Sequence, residues 1–233
     1  MRRAARRLGH LERNARLLAL TGVLCSTGAS ATAAPGPALF RLTISGTAVA
    51  NWDHTTAPVT SGDCETSERS EGVRTARFRS SSPTLVRVVA GRVQTVDARG
   101  IAGTVRLSGP NTLNRVCGTT ETHTLQPCAV TTRTFRDART TLLSLKQGSI
   151  SLRPLRLLLR RVQCPQEPDD MAASPLGPPP GPKRISVAAL VNERITHFTV
   201  RVSASRHKNY GPPEAGMLDQ RSAWTLTFQR IRP

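Results

Sequence analysis

An all-β fold, an antiparallel β-sandwich or barrel of about eight to ten short strands stapled by disulfides, is what this sequence predicts. Three observations carry the prediction. Apolar and polar residues alternate with a period of two in one segment after another. Turn compositions, such as Ser81-Ser82-Pro83 and Ser108-Gly109-Pro110-Asn111, separate those segments. No long amphipathic helix interrupts them. With 233 residues and 38% hydrophobic content, the chain can bury a sizeable core.

The first strand spans 39–52. Phe40, Leu42, Ile44, Gly46, Ala48, Ala50 and Trp52 share one side, and Arg41, Thr43, Ser45, Thr47 and Asn51 the other. Residues 53–71 read as a loop. The carboxylates of Asp63, Glu65, Glu68 and Glu71 are the oxygen ligands a hard cation takes, but their spacing fits no calcium loop, so the expectation is a solvated acidic loop with no metal. Segments 73–80 and 84–90 form paired strands across Ser81-Ser82-Pro83, and 100–107 forms a third. Arg77, Arg79, Arg87 and Arg106 thereby become candidates for one exposed, anion-binding sheet face.

Short apolar segments follow at 131–135, 140–145 and 150–162. The last reads as strand because Pro154 breaks any helix spanning it. A helical turn or two is the alternative, and a basic amphipathic membrane helix, with Leu155 and Leu157–Leu159 among Arg156, Arg160 and Arg161, the sharper one. Residues 165–184, PQEPDDMAASPLGPPPGPKR, read as an exposed Pro-rich loop acting as a passive spacer. Strand patterns return at 185–191, 196–202 and 224–228, with a loop at 205–219.

At the N-terminus a basic stretch, a short apolar run from Leu17 to Cys25 and the small residues STGASATAAP follow the order of a signal peptide over 1–33. That leaves a single β domain over 34–233, interrupted by the loop at 165–184. Losing six Arg and one Glu takes the formal net charge from +18 to +13. Four cysteines remain: Cys64, Cys117, Cys128 and Cys164. In an exported chain they are expected as disulfides rather than metal ligands. The polar segment CGTTETHTLQPC suggests a loop closed by Cys117–Cys128, with Cys64–Cys164 as a long-range staple, among the three connectivities four cysteines allow.

Thirty of the thirty-three basic residues are Arg, a bias that GC-rich codons produce without any ligand. Whatever its origin, the charge attracts anions. Motifs for serine hydrolases, zinc proteases, phosphate loops and dinucleotide folds are missing. A hydrolase would have to assemble His54, His123 or His197 with Asp53, Asp63 or Glu121 and one of many Ser or Thr residues. The aromatics are Trp52, Trp224, Tyr210 and five Phe, too few for the stacking platforms of specific nucleic-acid binding.

The order of a first strand ending near Trp52, Gly62-Asp63-Cys64, Phe78-Arg79-Ser80, Cys164-Pro165 and Trp224-Thr225-Leu226-Thr227 resembles uncharacterised secreted proteins of high-GC Gram-positive bacteria. The resemblance implies an exported β domain and carries over no catalytic residue. The expected function is a secreted, non-catalytic module of the cell envelope, without cofactor, that meets acidic envelope polymers or anionic lipid surfaces weakly through charge. A secreted hydrolase is the alternative.

Overall fold

The computed structural model describes residues 36–232 except 158, 160, 161, 174 and 175. The signal-peptide reading of 1–33 lies outside them. Among the described residues thirteen antiparallel strands form one sheet that does not close. Eight of them run in the order β11 (Lys183–Arg184), β10 (Ser149–Leu152), β9 (Thr131–Lys146), β6 (Val96–Ser108), β3 (Cys64–Ser80), β1 (Ala38–Thr55), β13 (Ala215–Arg230), β12 (His197–Tyr210). The shorter β2 (Val59–Ser61), β4 (Thr84–Val89), β5 (Arg92–Val93), β7 (Pro110–Cys117) and β8 (Thr120–Pro127) extend the ladders. The all-β antiparallel class follows from the sequence alternation. Its strands are longer than the turn signals suggested.

The greater length has a local cause. β3 and β4 lie along the same edge of β1, as the pairs Ser45↔Arg79 and Leu42↔Thr84 show. Ser81-Ser82-Pro83 is therefore a bulge in one long strand rather than a hairpin turn. The Ile44 amide, left without a ladder partner there, donates to Ser80 Oγ at 2.9 Å. The acidic stretch read as a loop enters β3, which turns Glu68 inward and leaves Glu65 and Glu71 exposed. The loop read at 205–219 is mostly the ends of β12 and β13.

One face of the sheet carries the core. Three aromatic rings on it lie over glycines directly across the ladder: Trp52 opposite Gly72, Phe78 opposite Gly46 and Phe135 opposite Gly103. A Cβ at Gly72 would sit 1.9 Å from the Trp52 ring, one at Gly46 2.5 Å from Phe78 and one at Gly103 2.7 Å from Phe135. The rings fold flat only because those positions carry no side chain.

The segment after β10 crosses this inner face. Leu155, Met171, Leu176, Ile185 and Leu190 are buried in the same cluster as the strand residues. The exposed-spacer reading of 165–184 is thus overturned: Pro165, Glu167, Pro168 and Pro180 are also buried. Proline brings no N–H to satisfy, and inward side chains satisfy carbonyls along the segment. Ser70 Oγ (2.7 Å) and Trp52 Nε1 (3.1 Å) donate to the Gln166 carbonyl, Asn111 Nδ2 to that of Gln163 (3.0 Å) and Ser222 Oγ to that of Pro178 (2.6 Å). Arg74 and Glu167, both nearly fully buried, form an ion pair beneath it.

Two short helices lie in or beside this segment, α1 (Asp170–Ala173) and α2 (Val187–Val191). The second replaces the strand expected at 185–191. Ser186 caps it, Leu190 anchors it, and Arg230 donates to the Leu190 carbonyl at 2.8 Å. After Leu152 the Leu-rich run is neither strand nor long helix. It makes an isolated bridge at Arg156, with Leu155 buried and Leu157 and Leu159 half-buried, while Leu158, Arg160 and Arg161 lie outside the described residues. Among the described residues no helix is long and apolar enough to cross a membrane.

All four expected cysteines are oxidised, but the pairing is Cys64–Cys117 and Cys128–Cys164. Residues 117–128 hold the turn and second strand of the β7–β8 hairpin instead of a closed loop. Cys117 lies opposite Thr120, and Pro110 opposite Pro127. Cys128 therefore lies roughly 25 Å from Cys117 at about 3.3 Å per residue, beyond disulfide reach. Cys64 instead lies directly across the ladder from Cys117, and Cys128, in the connection between β8 and β9, ties down the start of the crossing segment.

Gly72→Ala is expected to destabilise the protein by about 3 kcal/mol through overpacking, whereas Gly181→Ala, with nothing within 4 Å of the added Cβ, should be silent. Denaturant titration of both variants checks this. Non-reducing peptide mapping should recover the 64–117 and 128–164 pairs. Replacing Cys128 and Cys164 together by Ala should cost about 3 kcal/mol, measured in the same titration.

Candidate functional site

Odd-numbered residues of β1, β3, β12 and β13 point away from the core, forming an outer face rich in Thr, Ser and Arg. Arg77, Arg79, Arg87 and Arg106 are all exposed on it. Arg106 lies opposite Thr75, and Arg77 opposite both Thr104 and Thr47, so Arg77 and Arg106 are diagonal neighbours about 7–8 Å apart. Arg79 follows on the same strand. Arg87 stands apart: it faces Leu39 on β1 while Arg79 faces Ser45, a separation of roughly 20 Å along the strand.

Arg136 on β9, which the sequence reading missed, completes the group. Together with Arg77, Arg79, Ser45, Thr104 and Thr134 it lines a shallow depression of about 520 Å³ with no carboxylate in its wall. Such an array offers forked N–H donors and short hydroxyls to an oxyanion. Phe78 and Phe135 also contribute to the wall, but both are buried, and the eight aromatic residues of the chain are all buried or half-buried, so no exposed ring is offered here for a base or sugar to stack on.

A second polar region lies where β1 ends and β12 turns into β13. A cleft of about 500 Å³ there is lined by His54, Gln166, Glu167, Asp170, Lys208 and Glu214, among others. The ion pair from Lys208 and a bond from Arg206 at 3.1 Å hold the Asp170 carboxyl below its ordinary range. Burial, reinforced by Asp170, pushes the Tyr210 phenol far up. Residues 170 and 208 are too far apart in sequence for any spacing motif. The inward alternation of Arg206, Lys208 and Tyr210 was masked because its members are polar.

The histidines do not gather as a hydrolase would need. His54 faces inward against the Tyr210 ring at 4.4 Å, and its nearest carboxylate is Glu214 at 3.6 Å. Asp53 points outward to Arg69. His123 and Glu121 are paired at 3.3 Å on the exposed β7–β8 hairpin, where Asn114 takes the other ring nitrogen. Ser70, across the ladder from His54, is committed to Gln166 and Trp52. The closest His–carboxylate contact was not foreseen: His207 Nδ1 lies 2.7 Å from Asp219, while Nε2 lies 2.9 Å from Asn209 Oδ1. Acceptors at both nitrogens favour the doubly protonated ring, the opposite of what a general base requires.

No protein-family model, no curated protein and no solved structure matches the chain.

The Asp219 carboxylate, aided by Asn209, raises the pKa of His207 above the ordinary imidazole value of 6.5. The stability this adds is fully present below the unfolded value and is lost as pH rises through the folded one. In an NMR titration His207 should titrate above 6.5, and Asp219→Asn should bring it back down.

Proposed function

We propose that this protein is an exported, cell-envelope-associated binding module that holds anionic polymers, or the anionic surface of a lipid layer, through its outer arginine face. The observation that carries the reading is the gathering of Arg77, Arg79 and Arg136 around a depression without a carboxylate, with Arg106 beside them on the intervening strand. The expected mature charge of +13 adds long-range attraction. Two disulfides indicate an extracellular or otherwise oxidising environment. Export from a high-GC Gram-positive cell, as the sequence resemblance implies, fits that environment. Without aromatic stacking, affinity comes from counterion release and falls steeply with salt.

The test is titration with a teichoic-acid-like polymer, heparin and DNA at two salt concentrations. Comparable binding to all three that fades with salt is expected. Replacing Arg77, Arg79 and Arg106 by Gln should flatten the salt dependence by about three counterions and weaken binding more than replacing the exposed Arg156, Arg194 and Arg232. Equal loss in the two triple variants would assign the effect to diffuse net charge. A preference for one polymer that survives salt would sink the charge-only reading.

A further inference from the structure

The cleft at the β12–β13 turn departs from the rest of this arginine-rich chain. Its wall carries the carboxyl groups of Glu167, Asp169, Asp170 and Glu214 against one lysine, Lys208. Two of the four are engaged within the fold, Glu167 by Arg74 and Asp170 by Lys208 and Arg206, and Asp169 also has a partner. Glu214 is different. It is about half exposed, and among the described residues its one ionic neighbour is His54 at 3.6 Å, too long for a hydrogen bond.

His54 is 6% exposed, and its Nε2 has no hydrogen-bond partner. Gln166 Oε1, in the same wall, is likewise buried without one. A buried polar atom left unsatisfied costs about 1–3 kcal/mol, so two such atoms in the wall of a cleft that also carries a half-exposed carboxylate call for a partner. Glu214 and Gln166 Oε1 are acceptors, and His54 Nε2 accepts when Nδ1 carries the ring proton. What would satisfy all three is a compact donor of several protons carrying positive charge.

We propose that this cleft binds a primary ammonium group on a flexible chain, as in a lysine side chain or an alkyl diamine. Glu214 supplies the counter-charge, and His54 Nε2 and Gln166 Oε1 take further N–H donors. An ammonium is a compact three-donor point charge that suits several acceptors in the wall of one cleft, whereas a planar guanidinium prefers a bidentate fork. The inference is independent of the arginine face, which carries the opposite charge on the other side of the sheet.

The experiment is NMR-monitored titration of the full chain with N-acetyl-lysine amide, with N-acetyl-arginine amide and N-acetyl-norleucine amide as comparisons. Lysine amide should shift the His54 ring resonances saturably at or below about 10 mM, and norleucine amide should not. Glu214→Gln, at a half-exposed turn position, should weaken binding about tenfold with the fold intact. Gln166→Leu should weaken it too while keeping Glu214. Failure of lysine amide to bind, equal binding of the arginine or norleucine compound, or unchanged affinity in Glu214→Gln would each overturn the assignment.

Discussion

The fold depends on aromatic rings laid over cross-strand glycines. Trp52 over Gly72, Phe78 over Gly46 and Phe135 over Gly103 run across β1, β3, β6 and β9, the middle of the sheet. Each ring lies along the sheet where a side chain would otherwise make it stand upright, so the central inner face is low and smooth. Ala48, Ala50 and Ala76 continue that floor. The space gained admits Trp224, which meets Phe78 edge to face at 5.0 Å. It also leaves room for a whole chain segment to cross.

That segment solves two problems at once. An open sheet with one apolar face needs a cover, and the stretch from Gln163 to Leu190 supplies it with residues poor in backbone donors. Its carbonyls are met by Asn111, Ser70, Trp52 and Ser222. The Arg74–Glu167 pair then fixes its position. Removing one partner of such a buried pair costs about 3–5 kcal/mol, because the other charge is stranded. The Cys128–Cys164 disulfide holds the start of the cover, and Arg230 braces α2 at its far end.

The same geometry divides the charge. Outward positions around Arg77, Arg79 and Arg136 hold arginines without a carboxylate, whereas the turn end of the inner face gathers carboxylates brought by the covering segment and by Glu214. A basic sheet face and an acidic cleft therefore belong to different sides of one sheet. The two proposed ligand chemistries, of opposite sign, thus fall on opposite sides of the sheet.

The sequence by itself determined the all-β class, the inner residues of β1 and β13, the outward parity of Arg77 and Arg79 along their strand, and the oxidised state suited to four cysteines. All of these rest on alternation along one strand or on composition, which are local properties. Only the tertiary structure decided the disulfide partners, because those depend on which strand lies beside which: Cys64 met Cys117 across a ladder that no spacing reveals. It also decided that 165–184 is a cover, since proline lowers strand propensity yet makes burial against a sheet easier. The cleft could not be read ahead for the same reason. His54, Gln166, Asp170, Lys208 and Glu214 come from distant parts of the chain, and burial and charge acquire their meaning only once those parts are packed together.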